Sequence, residues 1–258
     1  MNPKIYTFYY NRYKEATTSL ALFHSNVEHT IVFHSEEQRQ KFNPEVIRGE
    51  AFVTNYQKGL SGQRNKVLDS IPKGEWVIFC SDDYIYTTAI TDTYADKTKA
   101  EEVPAFDQMI TKNVISTKKL YDKTLELIAD AEKIGANIAG FASNGNPFYL
   151  KNKHKKKGLV DGRWFAMRNT EIRFDENVQT IDDHDITAAH LAKGQPIWVN
   201  NWVVPEFARY TSGGYGTLNQ RMEQKLKDCA YLVNKYPDIL YFADKKGLPK
   251  NAHLRFRW

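Results

Sequence analysis

Two short acidic stretches contain the residues of this chain that are best suited to chemistry. One holds Asp82 and Asp83, and the other holds Asp182, Asp183 and Asp185 within four residues. Neighbouring carboxylates can bind a hard divalent cation, and such a cation can bridge the phosphates of a nucleotide. The alternative for the first pair is that it only starts a turn or caps a helix, which Asp does often.

The elements around the first pair are predicted to hold it at the edge of a sheet. The run from Trp76 to Cys80 is apolar throughout, which suits a strand buried on both faces of a parallel sheet. Open α/β sheets bind ligands beyond the carboxyl ends of such strands. Upstream, a glycine-flexed turn at Gly59 opens a predicted helix that carries Arg64 and Asn65. These side chains would add a cation and amide donors beside the same crevice.

The second acidic stretch opens a predicted helix that Gly194 closes. The helix dipole favours negative charge in the first turn, and this accounts for one or two acids. Three acids in four residues exceed what capping requires.

Strand and helix patterns alternate along the rest of the chain, which predicts βαβ units and a parallel sheet. Strands are expected near residues 5–9, 30–34, 51–54, 75–80, 137–142 and 197–204, and helices near 15–24, 60–71, 118–134, 182–193 and 221–236. Residues 87–117 show weak periodicity and are expected to form an insertion or a long connection. A chain of 258 residues with this pattern often folds as one domain.

The composition is that of an ordinary soluble globular protein, with 41% hydrophobic and 26% charged residues. No apolar run reaches the roughly 18 residues that a membrane span needs. The two cysteines lie far apart and indicate no disulfide framework, which favours a reducing, cytoplasmic location.

A net charge of +5 permits a nucleic-acid partner without requiring one. Its most concentrated part is a run with five lysines in seven residues, which includes Lys153, Lys155, Lys156 and Lys157. This run is predicted either to be a solvated loop or to contact a phosphate backbone.

The order of these motifs resembles that of GT-A fold glycosyltransferases. The match consists of the Gly-x-x-x-x-Arg-Asn turn followed by an apolar strand that ends in Asp82 and Asp83, with Ser81 where many members have a further acid. The resemblance implies an α/β fold: a GT-A-like (Rossmann-like), mostly parallel central sheet flanked by helices in a single domain. Residues 1–117 would form the nucleotide-sugar half and residues 118–258 the acceptor half.

The same resemblance implies a nucleoside-diphosphate sugar as donor, with a UDP-sugar expected, and Mn²⁺ or Mg²⁺ as cofactor. Asp83 would bind the metal, and Glu206 would replace the late His ligand of many members, with His253 a more distant candidate. The donor-contacting set would be Thr7, Asn11, Arg12, Arg64, Asn65, Asp82 and Asp83, although the segment with Asn11 and Arg12 is equally typical of a solvated surface loop.

The second acidic stretch resembles the acidic motif that opens the acceptor helix in inverting GT-A enzymes. By this likeness Asp183 is the base that deprotonates the acceptor hydroxyl, and Asp182 and Asp185 match the flanking acids. His184 is predicted to be structural, an alternative base or a metal ligand. Trp164 would lie on the acceptor side, together with the lysine run.

A narrower likeness comes from the C-terminal part. The Thr-Ser-Gly-Gly-Tyr element at residues 211–215, Tyr236-Pro237 and the short basic tail resemble the TET-associated glycosyltransferases of bacteriophages. This implies transfer of a sugar to a hydroxymethylated base in duplex DNA, in the host cytoplasm and with no membrane partner. Three alternatives stay open: a glycan or lipid-linked acceptor, a nucleic-acid or nucleotide-binding module without catalysis, and a nucleotidyltransferase.

Overall fold

A computed structural model describes residues 3–9, 17–42, 49–56, 59–93, 110–143, 153–208 and 216–257. The strands are β1 (Lys4–Phe8), β2 (His29–Phe33), β3 (Glu50–Val53), β4 (Trp76–Ser81), β5 (Tyr84–Thr93), β6 (Ile110–Ile115), β7 (Ile138–Phe141), β8 (His154–Lys155), β9 (Trp164–Arg168), β10 (Trp198–Asn200), β11 (Val203–Phe207), β12 (Leu240–Phe242) and β13 (Leu254–Phe256). The helices are α1 (Thr17–His24), α2 (Glu36–Lys41), α3 (Leu60–Asp69), α4 (Thr117–Lys133), α5 (Asp182–Ala192) and α6 (Leu218–Lys235).

Eight strands form the central sheet, in the order β3-β2-β1-β4-β9-β7-β10-β8. The first four pair in parallel, and β9 lies antiparallel between β4 and β7. The predicted α/β fold with a central sheet flanked by helices is therefore confirmed. Strand β4 is buried on both faces, as its apolar run predicts: Ile78 and Cys80 join one core cluster, and Val77 and Phe79 join another.

The prediction of an insertion or long connection over residues 87–117 is wrong in the part that the structure describes. Strands β11, β5 and β6 form a separate antiparallel sheet. Strand β5 is rich in Tyr, Ile and Thr, which favour strands, whereas the polar residues 94–109 dilute the pattern when the whole stretch is considered together.

The single strand expected near residues 197–204 is also two strands in different sheets. Strand β10 belongs to the central sheet and β11 to the small one. The chain turns between them at Asn201 and Trp202, where the Trp202 N–H donates to Asn200 Oδ1 at 2.8 Å. This side-chain bond to the backbone is a common turn device.

The C-terminal part packs back on the domain. Helix α6 begins with a capping box formed by Thr217 and Gln220. Strands β12 and β13 pair with each other, and Leu240 and Phe256 join a core cluster that includes Ala188 of α5. The helix that carries the second acidic stretch is therefore supported from the C-terminal side.

Cys80 and Cys229 are both buried free thiols. No helix within the described ranges has the length and apolar character needed to cross a membrane.

Candidate active site

Asp82 and Asp83 form the turn between β4 and β5 at the carboxyl end of the central sheet. The turn is held from two sides. The Thr17 Oγ1 hydroxyl, at the start of α1, donates to the Asp82 carbonyl at 3.0 Å. The Ala208 N–H, just after β11, donates to the Asp83 carbonyl at 2.9 Å. Both residues are partly exposed, and these two bonds fix the main chain of the turn.

Glu206 is near this turn because β11 ends against it. It lies two residues before Ala208 and pairs with Tyr86 across the small sheet. In the described part of the chain, no three His, Cys, Asp or Glu side chains are close enough together to form a ready metal site. Asp82, Asp83 and Glu206 nevertheless offer the hard oxygen donors that Mg²⁺ and Mn²⁺ prefer, and Mg²⁺ is often held by only one or two carboxylates together with substrate phosphates. The donor chemistry of these three residues therefore suits a hard divalent cation.

Arg64 is a buried cation inside an aromatic cage. Its side chain lies 5.1–5.8 Å from the ring centroids of four phenylalanines, Phe8, Phe79, Phe165 and Phe174. Its Nη1 donates to Asp182 Oδ2, and its Nη2 donates to the Gly162 carbonyl at 2.7 Å. Only 1% of the residue is exposed, so direct contact with a nucleotide would require the cage to open.

Asp183 occupies the first turn of α5, as predicted, and its side chain is 23% exposed. The backbone N–H and the ring of His184 lie within 2.8 Å and 2.9 Å of Asp183 Oδ1. Burial acts to raise the pKa of Asp183, but the contacts with His184 and the charge of Arg64 outweigh it, so the pKa lies below its usual value. The His184 ring stacks on Phe256 at 5.9 Å, which fixes its orientation.

The segment from Asp161 to Arg163 joins the two acidic stretches. A Cβ added at Gly162 would lie only 2.9 Å from the Asp183 Cβ, so Asp183 rests directly on this glycine. The next residue, Arg163, accepts the Ser81 N–H on its carbonyl at 2.8 Å. Because Ser81 immediately precedes Asp82, the two stretches meet at the same edge of the sheet.

The pKa of Cys80 also indicates that the first acidic stretch lies near Arg64, the partner of Asp182. Burial raises the pKa of the Cys80 thiol, and the charges of Asp83 and Asp82 raise it further while Arg64 lowers it. The first acidic stretch and the cation paired with Asp182 therefore act on the same buried group.

Arg163 lies beside both acidic stretches, although no sequence motif indicates it. Its Nε and Nη2 donate to Asp161 at 2.8 and 2.7 Å, and Nη2 also donates to the Ser143 carbonyl at 2.8 Å. The guanidinium lies over the Phe207 ring at 5.3 Å. The sequence signal available was Asp161-Gly162-Arg163 directly before a strand, which is too short to be distinctive.

Asp185 is part of a buried ion network, so the prediction that it contacts the acceptor does not fit its position. It is fully buried, and it accepts the Asp175 N–H at 2.7 Å, Lys235 Nζ at 2.9 Å and the Tyr236 hydroxyl at 3.2 Å. Lys235 also donates to Asp175 at 2.7 Å, and Tyr231 donates to Asp175 at the same distance. Burial acts to raise the pKa of Asp175, but Lys235 and Tyr231 outweigh it and lower the pKa to about 2.

Three other residues predicted to contact a ligand have internal partners. Thr7 is fully buried in β1 and donates to the Thr30 carbonyl at 3.4 Å. Asn65 binds both backbone groups of Phe174, at 2.9 and 3.0 Å. Trp164 is 1% exposed and donates to Thr124 Oγ1 at 3.1 Å. Their ligand contacts remain predictions.

Edge strand β8, His154–Lys155, is part of the lysine run. Lys153 packs over the Trp202 ring at 5.4 Å, and His154 stacks on Trp198 at 4.7 Å. Lys156 and Lys157 are exposed, whereas burial lowers the pKa of the half-buried Lys155. His253 lies close enough to His184 for their charges to interact. Asn11, Arg12 and the 211–215 element lie outside the described residues.

Comparison with solved structures identifies the fold. Over 92% of its length the chain aligns with the crystal structure of GalNAc-T7 with UDP, GalNAc and Mn²⁺, with a TM-score of 0.53 and 10% sequence identity. The alignment covers 49% of that protein, so the chain spans about half of its length. This likeness shows a GT-A-type fold.

A second alignment, to the apo form of the glycosyltransferase GlyE from Streptococcus pneumoniae, covers 92% of this chain and 63% of that one at 12% identity, with a TM-score of only 0.22. No protein-family model and no curated protein sequence matches the chain.

Proposed function

We propose that this protein is a metal-dependent glycosyltransferase that uses a nucleoside-diphosphate sugar, with a UDP-sugar as the expected donor. The observation that carries the proposal is the meeting of the two acidic stretches across the Asp161–Gly162–Arg163 segment at the carboxyl edge of a GT-A-type sheet. The fold places ligands at this edge, and the two stretches offer separate groups for the donor and the acceptor.

The charge of the cleft supports a divalent cation. Among the described residues near this edge, Asp82, Asp83, Asp161, Asp182, Asp183 and Glu206 contribute six negative charges and Arg64 and Arg163 two positive ones, which leaves about −4 for this set when all are ionised. These acids would repel the negative charges of a nucleoside diphosphate, and a bound cation would offset that repulsion. Asp82, Asp83 and Glu206 are the candidate ligands, and the cation would neutralise charge on the leaving diphosphate.

Asp183 is the proposed general base. Its lowered pKa keeps it ionised at neutral pH, and its partly exposed side chain can accept the proton of an acceptor hydroxyl. The contacts from His184 and Gly162 restrict its position. In this proposal Arg64 and Asp182 are positioning residues that act through Gly162 and the first turn of α5, and Asp185 supports the helix from behind.

The acceptor that we propose is a hydroxymethylated base in duplex DNA. Support comes from the exposed Lys153, Lys156 and Lys157 and from Trp202, over whose ring Lys153 lies, since lysines attract a phosphate backbone and aromatic rings can stack on an extruded base. A glycan or lipid-linked hydroxyl is the alternative acceptor, and it needs no basic surface.

The test is transfer of sugar from a panel of UDP-sugars, with Mn²⁺ or Mg²⁺, to hydroxymethylcytosine duplex DNA, unmodified DNA and oligosaccharides. We expect Asp183→Asn and Asp83→Asn to lower the rate by about 10²-fold or more, because each removes a group used in the transition state. Asp122→Asn is the matched control, since this acid lies on the exposed face of α4 and pairs with Lys118.

Each possible result has a distinct meaning. Transfer that survives both active-site substitutions would refute the assigned roles. Transfer to oligosaccharides but not to DNA would replace the DNA acceptor with the alternative. No binding of any nucleoside diphosphate in the presence of Mn²⁺ would overturn the enzymatic proposal and favour a binding module.

A further inference from the structure

Arg163 stands out because a cation is held rigidly inside an acidic cleft and still has an unused donor edge. The Asp161 carboxylate binds its Nε and Nη2, and the Ser143 carbonyl binds Nη2 again. Its ring partner, Phe207, supports the plane of the guanidinium. These contacts restrain the group without help from a ligand.

The remaining nitrogen, Nη1, donates to no residue in the described part of the chain, and 27% of the side chain is exposed. A guanidinium has five N–H donors in a fixed fork, and two of them are on Nη1. The two N–H groups on Nη1 point in different directions, so they can donate charge-assisted hydrogen bonds to two separate oxygens, such as those of adjacent phosphates.

The location of this edge is set by the same contacts that define the cleft. The Arg163 carbonyl is bonded to Ser81, next to Asp82, and the Arg163 side chain interacts electrostatically with both Asp183 and Glu206. Arg163 is thus bonded through its backbone to the residue before Asp82, and it follows Gly162, on which Asp183 rests.

We propose that Arg163 binds the diphosphate of the donor through Nη1, with Asp161 as the residue that positions it. The inference rests on the proposed function, since it requires a nucleoside-diphosphate donor in this cleft. The sequence predicts that Arg64 contacts the donor, but Arg64 is enclosed by four phenyl rings. The side chain of Arg163, in contrast, is 27% exposed.

The experiment measures binding rather than turnover. Calorimetric titrations of the full chain with Mn²⁺ would compare UDP, uridine and inorganic pyrophosphate as probes, for the wild type, Arg163→Met and Arg163→Lys. We expect Arg163→Met to weaken UDP and pyrophosphate about ten- to a hundredfold, as charge-assisted hydrogen bonds are lost, and to leave uridine unchanged. Arg163→Lys should recover part of the affinity, since it keeps the charge but loses the fork.

A matched control is Arg173→Met. Arg173 also donates to an aspartate, Asp69, and to backbone carbonyls, Thr170 and Ile172, and its side chain is 25% exposed. Among the described residues Arg173 forms no hydrogen bond or ion pair with either acidic stretch, so its removal should not change UDP affinity. Asp161→Asn should weaken UDP binding even though Arg163 is retained.

The failure of this inference can be distinguished from that of the proposed function. If the wild type binds none of the probes, and GDP and TDP also fail, both ideas fall. If the wild type binds UDP and Arg163→Met binds it equally well, the role of Arg163 is refuted while the donor class stands. Equal weakening of UDP and uridine would also refute it, because an anion contact cannot act on the nucleoside alone.

Discussion

Replacing Lys235 with Met tests whether the buried network behind the second acidic stretch stabilises the fold. Lys235 donates to both Asp175 and Asp185, at 2.7 and 2.9 Å, and its side chain is 31% exposed while that of Asp185 is 0% exposed. In the variant, Asp185 would keep the Asp175 N–H and the Tyr236 hydroxyl but lose its counter-charge.

Removing one partner of a buried ion pair typically costs about 3–5 kcal/mol. Because Asp185 retains two hydrogen bonds and Lys235 is partly exposed, we expect Lys235→Met to lower the free energy of unfolding by less than this, about 2–3 kcal/mol. For a protein of this size, such a change lowers the melting temperature by roughly 5–10 °C. Urea unfolding, followed by tryptophan fluorescence and by circular dichroism, would measure the free energy of unfolding.

Two further variants make the measurement specific. Lys133→Met removes an exposed lysine that donates to Asp130 at 2.8 Å on α4, and it should change the free energy by less than about 0.5 kcal/mol. Adding Asp185→Asn to Lys235→Met should recover part of the loss, because it removes the unpaired buried charge. A loss for Lys235→Met no larger than that of Lys133→Met, or no recovery in the double variant, would refute the reasoning.

The remaining predictions concern pH, geometry and ion linkage. Burial lowers the pKa of His190 to about 4. The contribution of the neutral ring to the free energy of unfolding is therefore fully present above the unfolded-state pKa near 6.5 and is lost as the pH falls toward 4. Urea titrations should show the wild type losing about 3 kcal/mol more than His190→Leu over this range. Asp175 has its pKa lowered to about 2, so about 2 kcal/mol present above pH about 3.8 is lost as the pH falls toward 2, and acid unfolding of Lys235→Met should show a smaller contribution. Gly162→Ala would place a Cβ 2.9 Å from that of Asp183, and we expect about 1–3 kcal/mol of destabilisation and a fall in kcat of about 10²-fold with UDP affinity retained. Gly140→Ala, whose Cβ would meet Val160 Cγ1 at 2.8 Å, should destabilise similarly without the selective loss of kcat, and equal kcat losses in the two variants would contradict a special role for Gly162.

The sequence predicts the framework well where one pattern dominates. The apolar run from Trp76 to Cys80 is found as a doubly buried strand, and Gly59 precedes α3 with a φ of 99°, a conformation that favours glycine. The acids of the second stretch begin α5 as expected. In each case a local cause, burial or backbone conformation, determines the local structure.

Pairing partners are harder to predict because they depend on residues far apart in sequence. Arg64 lies on a predicted helix, but its partner Asp182 is 118 residues away, and nothing in the spacing distinguishes a caged cation from a ligand-binding one. The same is true of Arg163, whose link to Ser81 arises only because β9 inserts antiparallel beside β4. Nonlocal strand order therefore decides which charged groups face the cleft.

The aromatic cage around Arg64 has a consequence for how this protein can diverge. The four rings belong to β1, β4, β9 and the segment before α5, so one guanidinium joins parts of the chain that are encoded far apart. Replacing the arginine alone would leave the Asp182 carboxylate without its counter-charge, and replacing the aspartate alone would leave the Arg64 cation without its counter-charge in an apolar cavity. Natural relatives should therefore keep both members of this pair or exchange both together, and a lineage that retains one without the other should show a compensating charge at the mouth of the same cavity.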